Sequence, residues 1–239
     1  EWKEEYRNRD KEAIEQAKNK YKMEINLWKV YQYLFFKEWG ELKKYANDRD
    51  IHIIGDLPIY VSLDSVDVWA HPKLFQLDEN KIPTKVAGCP PDAFSEDGQL
   101  WGNPLYNWDY MEQTDFQWWI NRIQYLCKVY DVLRIDHFRG FDSYYAIPYG
   151  ESTARNGVWK QGPGMKLFNK VEETIGRQHI IAEDLGYLTK SVREMLKDSG
   201  FPGMKVLEFA FNSNAVGENE YLPHNFTENC VAYAGTHDN

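Results

Sequence analysis

Short apolar runs that stop at charged residues, with helical stretches between them, constrain the fold of this chain more than any other feature. Ile51-His52-Ile53-Ile54-Gly55-Asp56 is β-branched and ends at a polar turn before Pro58. Val129 to Asp136 repeats the pattern and ends Leu133-Arg134-Ile135-Asp136-His137. His179 to Asp184 ends Ile181-Ala182-Glu183-Asp184, Val206 to Phe211 is a fourth run, and Val231 to Asp238 ends Thr236-His237-Asp238. Helical periodicity fills residues 10–48, with a break allowed near Lys22–Asn26, and then 116–128, 167–175 and 188–197.

Strands alternating with helices predict an α/β protein with parallel strands. Two architectures satisfy this, a (β/α)8 TIM barrel and an open doubly wound sheet. The second usually carries a glycine-rich phosphate turn, and neither GxGxxG nor GxxxxGK[ST] occurs here. The barrel is therefore the expected fold. Five runs are too few to close one, since a barrel takes eight strands. The chain also begins at Glu1 and ends at Asn239, directly after a charged strand end. The expectation is one catalytic barrel domain over 1–239, partial and apparently truncated. Residues 57–115, rich in Pro, Gly and Asp, read as a long loop inserted after the first strand, and loops of that length are usually functional.

Charge and composition exclude several classes. Twenty-eight basic and 37 acidic residues give −9, a balance that repels a phosphate backbone and makes nucleic acid an unexpected partner. No long apolar run or basic cluster points to a membrane. Cys89, Cys127 and Cys230 are odd in number and far apart, which suits neither a disulfide framework nor a zinc site and favours a reducing cytoplasm. Aromatic residues make up 15% and include nine Trp. They serve core packing, and they also suit the apolar face of a sugar ring.

The charged strand ends hold the chemistry. Side chains alternate along a strand, so Arg134 and Asp136 share a face. A guanidinium there favours an ionised carboxylate, which is what a nucleophile requires. Glu183, at the end of an apolar strand, is expected to be partly desolvated and therefore protonated at higher pH, as a general acid must be. Carboxyls whose environments push them apart are the basis of glycoside chemistry. A structural Arg–Asp pair explains Arg134 and Asp136 equally well at this stage. Metal binding fits less well. Asp136-His137 and His237-Asp238 are adjacent pairs, of which a strand turns only one inward, and neither HxH nor HExxH occurs. No metal and no cofactor is expected.

Several segments together resemble one family. They are Ile54-Gly55-Asp56-Leu57-Pro58-Ile59-Tyr60-Val61, Gly88-Cys89-Pro90-Pro91-Asp92-Ala93-Phe94-Ser95, and Gly98-Gln99-Leu100-Trp101-Gly102-Asn103-Pro104-Leu105-Tyr106. With Leu133 to Phe141, Ile181 to Gly186 and Gly235 to Asn239, they are similar, in order, to the 4-α-glucanotransferases (amylomaltases). The resemblance implies a retaining double displacement on α-1,4-glucans and maltooligosaccharides. Asp136 would be the nucleophile, Glu183 the acid and then the base, and Asp238 the third carboxylate, which steadies the transition state. Arg134, His137, His237, Asp184, Tyr60, Asp56, Asp92, Gln99 and Trp101 would contact or position substrate, with Trp101 as a stacking platform. It also implies a complete barrel in roughly twice this length, so that the chain supplies about strands three to seven. Two rival readings stay open: an α-glucan hydrolase of the amylase group, and an inactive glucan-binding fragment whose open edges promote self-association.

Overall fold

The first helices begin where the sequence supplies caps. The computed structural model describes residues 2–92, 95–186, 188–211 and 219–236. After the single turn α1 (Glu4–Arg7), α2 (Lys11–Lys20) opens on Asp10, whose carboxylate accepts the Ala13 N–H at 2.9 Å. The helix breaks at Tyr21, and α3 (Lys22–Asn47) then runs for 26 residues. The expected break thus falls one residue before the Lys22–Asn26 window. Residues 1–53 and 54–239 form two compact units.

Among the described residues the second unit holds all the strands. In chain order it has β1 (Ile54–Leu57), α4 (Val66–Ala70), β2 (Lys85–Cys89), β3 (Gln99–Pro104), α5 (Trp108–Gln113), α6 (Gln117–Val129) and β4 (Val132–Ile135). Then come β5 (Ser143–Pro148), β6 (Val158–Gln161), α7 (Met165–Ile175), β7 (Ile180–Ala182), α8 (Lys190–Ser199), β8 (Gly203–Val206) and β9 (Cys230–Tyr233). β1, β4 and β7 form a parallel sheet with β4 in the middle, and β8 pairs in parallel with β9. The Ala182 N–H donates to the Pro202 carbonyl at 2.9 Å, which ties β7 to the entry of β8. These five strands overlap the five apolar runs of the sequence, β8 by Val206 alone, so the α/β expectation holds.

The core lies under the parallel strands. Leu57, Leu133 and Ile135 are fully buried, and α6 packs Trp119, Ile120 and Ile123 toward β1 and β4. Trp119 meets Phe141 edge-on at 5.1 Å, and Phe138 and Phe168 continue the cluster. Phe75, Tyr106 and Phe116 belong to the same core, whereas Trp28, Tyr33 and Trp159 are exposed.

Two expectations need correction. Residues 57–115 are not one loop, because they contain α4, β2, β3 and α5. β2 and β3 form half of an antiparallel sheet of order β3-β2-β5-β6, whose other half comes from residues 143–161. β2 and β3 pair within 57–115, but the β2–β5 pairing is non-local and nothing within 57–115 announces it. The fourth strand is also displaced, occupying Gly203–Val206, while 207–211 form a 3-10 helix. Its start is set by a side chain: the Asp184 carboxylate accepts the Met204 N–H at 2.6 Å.

Candidate active site

The parallel register brings the charged side chains together. Asp56 on β1 lies opposite Arg134 on β4, and the Asp136 N–H donates to the Leu57 carbonyl at 3.0 Å. Arg134 then bridges two carboxylates, with Nη1 donating to Asp56 at 2.6 Å and Nη2 to Asp136 at 3.0 Å. Burial opposes its charge, but Asp56, Asp136 and Glu183 outweigh that, and the guanidinium is held above its ordinary value.

The next residue, His137, turns the chain through the left-handed region (φ 51°, ψ 48°). Non-glycine residues rarely sit there, and such residues gather at functional sites. The turn aims the His137 N–H at Glu183 Oε2, 2.8 Å away, and the Leu185 N–H donates to Oε1 at 2.7 Å. Both oxygens of Glu183 are thus positioned by backbone. Burial raises the Glu183 carboxyl above the ordinary value, the charge of Asp136 adds to this, and the two N–H groups and Arg134 act in the opposite direction. The imidazole of His137 is lowered to about 4, by burial first and by the charge of Arg139 second, so it is neutral at pH 7.

Aromatic residues wall one side. The ring of Trp101 stands edge-on to His137 at 4.9 Å, and its Nε1 donates to Gln99 at 3.0 Å. Tyr60 lies 6.2 Å from Trp101 and stacks on Tyr106 at 5.9 Å. Burial raises its hydroxyl well above the ordinary value. The segment bearing Tyr60 is fixed by its backbone: Tyr106 donates to the Ile59 carbonyl at 2.7 Å, Arg122 to Pro58 at 3.1 Å and Asn103 to Val61 at 2.9 Å. Trp101 keeps about a third of its surface exposed, enough for a stacking face.

Asp56, Arg134, Asp136, His137, Glu183, Tyr60, Gln99 and Trp101 are therefore linked by direct contacts. Two other expected residues are placed differently. Asp184 is buried, with its carboxyl turned into the start of β8, where burial raises it and the Met204 N–H and Lys205 oppose the rise. Asp92 is exposed and accepts the Ser95 N–H at 2.9 Å, capping the turn after β2. His237 and Asp238 lie outside the described residues. Thr236, two residues before Asp238, lines a cavity of about 450 Å³ together with Asp56, Arg134, Leu185, Met204 and Tyr233. Among the described residues no group of three or more His, Cys, Asp or Glu is arranged to hold a metal ion.

The sequence reading overlooked Met204, whose thioether accepts Arg134 Nε at 3.4 Å, and the backbone donors of His137 and Leu185. A lone methionine in an apolar run carries no signal of its own, and backbone donors have none in side-chain identity.

Carboxyls set at the ends of neighbouring parallel strands in unlike environments are what glycoside chemistry uses. Comparison with known proteins narrows this class. Residues 1–239 match the glycoside hydrolase family 77 model, 4-alpha-glucanotransferase, and the chain belongs to that family. The 4-alpha-glucanotransferase of Clostridium butyricum is 56% identical over 239 residues, which are 100% of this chain and 49% of that protein. That of Aquifex aeolicus is 49% identical over 238 residues, 100% of this chain and 48% of that protein. The solved amylomaltase from Streptococcus agalactiae in complex with acarbose superposes with a TM-score of 0.97 at 52% identity, over 100% of this chain and 48% of that one. The chain spans about half the length of the curated relatives it matches.

Among the described residues no helix is long and apolar enough to cross a membrane.

Proposed function

We propose that this chain carries the reaction centre of a 4-α-glucanotransferase that moves α-1,4-glucan segments by double displacement, with Asp136 as nucleophile and Glu183 as acid and then base. The observation that carries the reading is the contrast between the two carboxyls. Asp136 is gripped by Arg134, whereas Glu183 is buried and raised. In the first step Asp136 attacks the anomeric carbon while Glu183 protonates the departing glycosidic oxygen, and a covalent β-glucosyl ester forms. In the second, the 4-hydroxyl of an acceptor glucan attacks the same carbon and Glu183 takes its proton. The ester breaks and an α-1,4 bond is restored with retained configuration.

Asp238 is assigned the third carboxylate, and His237 a hydrogen bond to the same sugar. Their position in the sequence directly after Thr236, at the cavity wall, favours both roles. Trp101 and Tyr60 offer ring faces for a bound glucan, and neutral His137 a hydrogen bond to it. Gln99 steadies Trp101, Asp56 shares Arg134 with the nucleophile, and Asp92 and Asp184 support the site from its margins.

The parallel strands β1, β4, β7, β8 and β9 are read as about strands three to seven of a (β/α)8 barrel, with 1–239 forming part of one catalytic domain. The match of the family model to the whole chain supports this. Three half-buried, unbridged cysteines suit a cytoplasmic setting.

Incubation with maltotriose tests the reading. Glucose and a ladder of longer oligomers are expected, and Asp136→Asn should remove both by a factor of about 10⁴ or more. Turnover that survives this substitution would overturn the nucleophile assignment, and glucose plus maltose alone would indicate hydrolysis. If the unmodified chain leaves maltotriose intact yet binds acarbose in calorimetry, it is an inactive glucan-binding piece.

A further inference from the structure

Arg134 donates to acceptors on or beside three different strands. Nη1 reaches Asp56 on β1, Nη2 reaches Asp136 just beyond β4, and Nε reaches the thioether of Met204 on β8. The donors of a guanidinium lie in one rigid planar fork. Two carboxylates alone would let that fork turn to grip either one bidentately and release the other. An acceptor at Nε removes this freedom. A thioether is neutral and a weak acceptor, so it orients the fork without competing for its charge.

Met204 is itself held in place. It is buried, and its N–H donates to Asp184 Oδ1 at 2.6 Å. The Asp184 oxygens sit 2.8 Å from where a Cβ on Gly203 would stand, so a side chain there would displace the carboxylate. Lys205 turns the other way, to Glu220 at 2.7 Å, as alternation along a strand requires. Met204 is left on the cavity side with Arg134 and Tyr233. The buried carboxyl adjacent to Glu183 in the chain thus fixes the entry of β8, and β8 fixes the fork that holds Asp136.

We propose that Met204 is a positioning residue for glucan transfer: its thioether sets the plane of Arg134 and thereby aims Asp136 at the anomeric carbon. The inference rests on the assignment of Asp136 as nucleophile. Met204→Leu keeps the volume but removes the acceptor, while Met204→Gln restores one through its amide oxygen. The Leu variant is expected to lose about fivefold in kcat with KM changed by less than about twofold, a loss in the range of one neutral hydrogen bond. The Gln variant is expected to recover to within about twofold of the unmodified protein. No loss in the Leu variant, or equal losses in both, would overturn the proposal. NMR exchange of the Arg134 Nε–H separates this from failure of the underlying assignment. The proton should be protected in the unmodified and Gln proteins and fast in the Leu variant, whether or not glucan is turned over. Unchanged exchange in the Leu variant defeats the Met204 proposal. Exchange that changes as expected, with turnover surviving Asp136→Asn, defeats the nucleophile assignment instead.

Discussion

Glu183 receives an N–H on each oxygen and is nevertheless raised, so at this residue burial outweighs hydrogen bonding. The consequence for stability has a definite sign. A carboxyl whose folded value is raised holds its proton more tightly in the folded chain than in the unfolded one. Its contribution is therefore full below the unfolded value of about 4.3 and is lost as pH rises through the folded value. The melting temperature of the unmodified protein, measured relative to Glu183→Gln, should fall as pH is raised from about 4 to about 7. A difference that stays flat over that window would show that Glu183 is not raised. Transfer should decline as pH rises through that folded value, because the acid that protonates the glycosidic oxygen is being lost. Part of this was legible beforehand: period-two alternation put Arg134 and Asp136 on one face, and the apolar run before Glu183 implied desolvation. The left-handed turn at His137 was not, because residue type does not encode it, and Asp184 turns inward only because β8 enters beside it.

At the scale of elements, the parallel strands could be read from local pattern, whereas the antiparallel sheet could not. β1, β4, β7 and β9 overlap apolar runs that end in charge, and each such run can be recognised without knowing its partner. β2 and β3 pair with each other inside 57–115, and β5 joins β2 from residues 143–148, a pairing that has no trace in 57–115. Gly88 marks the constraint that the pairing imposes. A Cβ there would lie 2.1 Å from the Gln99 carbonyl oxygen and 2.5 Å from Ile147 Cδ1, at the point where the β2–β3 register shifts. Gly88→Ala must therefore push β3 away or displace Ile147. It should cost about 1–3 kcal/mol in urea unfolding, as overpacking does. Because β3 carries Trp101, the substitution should also raise KM for maltotriose. Gly40→Ala is the control: nothing stands within 4 Å of its Cβ in α3, and the exchange should stabilise by about 0.5–1 kcal/mol. Equal effects at the two positions would mean that Gly88 is not sterically required.

At the scale of the whole molecule, large apolar side chains stand exposed along α3. On α3, Trp28 is 65% exposed and Tyr33 68%, and Leu27, Val30, Tyr31, Phe35 and Leu42 are exposed as well. A helix apolar on so many sides is ordinarily a buried one. Among the described residues β1 pairs with β4 alone and β9 with β8 alone, which leaves backbone donors and acceptors along two strand edges. The net charge of −9 opposes association at long range, but salt near physiological strength screens it beyond about 8 Å. Short-range apolar contact then decides the outcome. The 239-residue chain alone should self-associate at micromolar concentration in sedimentation and should enhance the fluorescence of a hydrophobic dye. A longer polypeptide of the length its relatives have should do neither if its additional residues cover these surfaces. A monodisperse 239-residue monomer that leaves the dye dark would show that the exposed face of α3 and the strand edges are tolerated as they stand, and the partial-barrel reading would lose its main physical consequence.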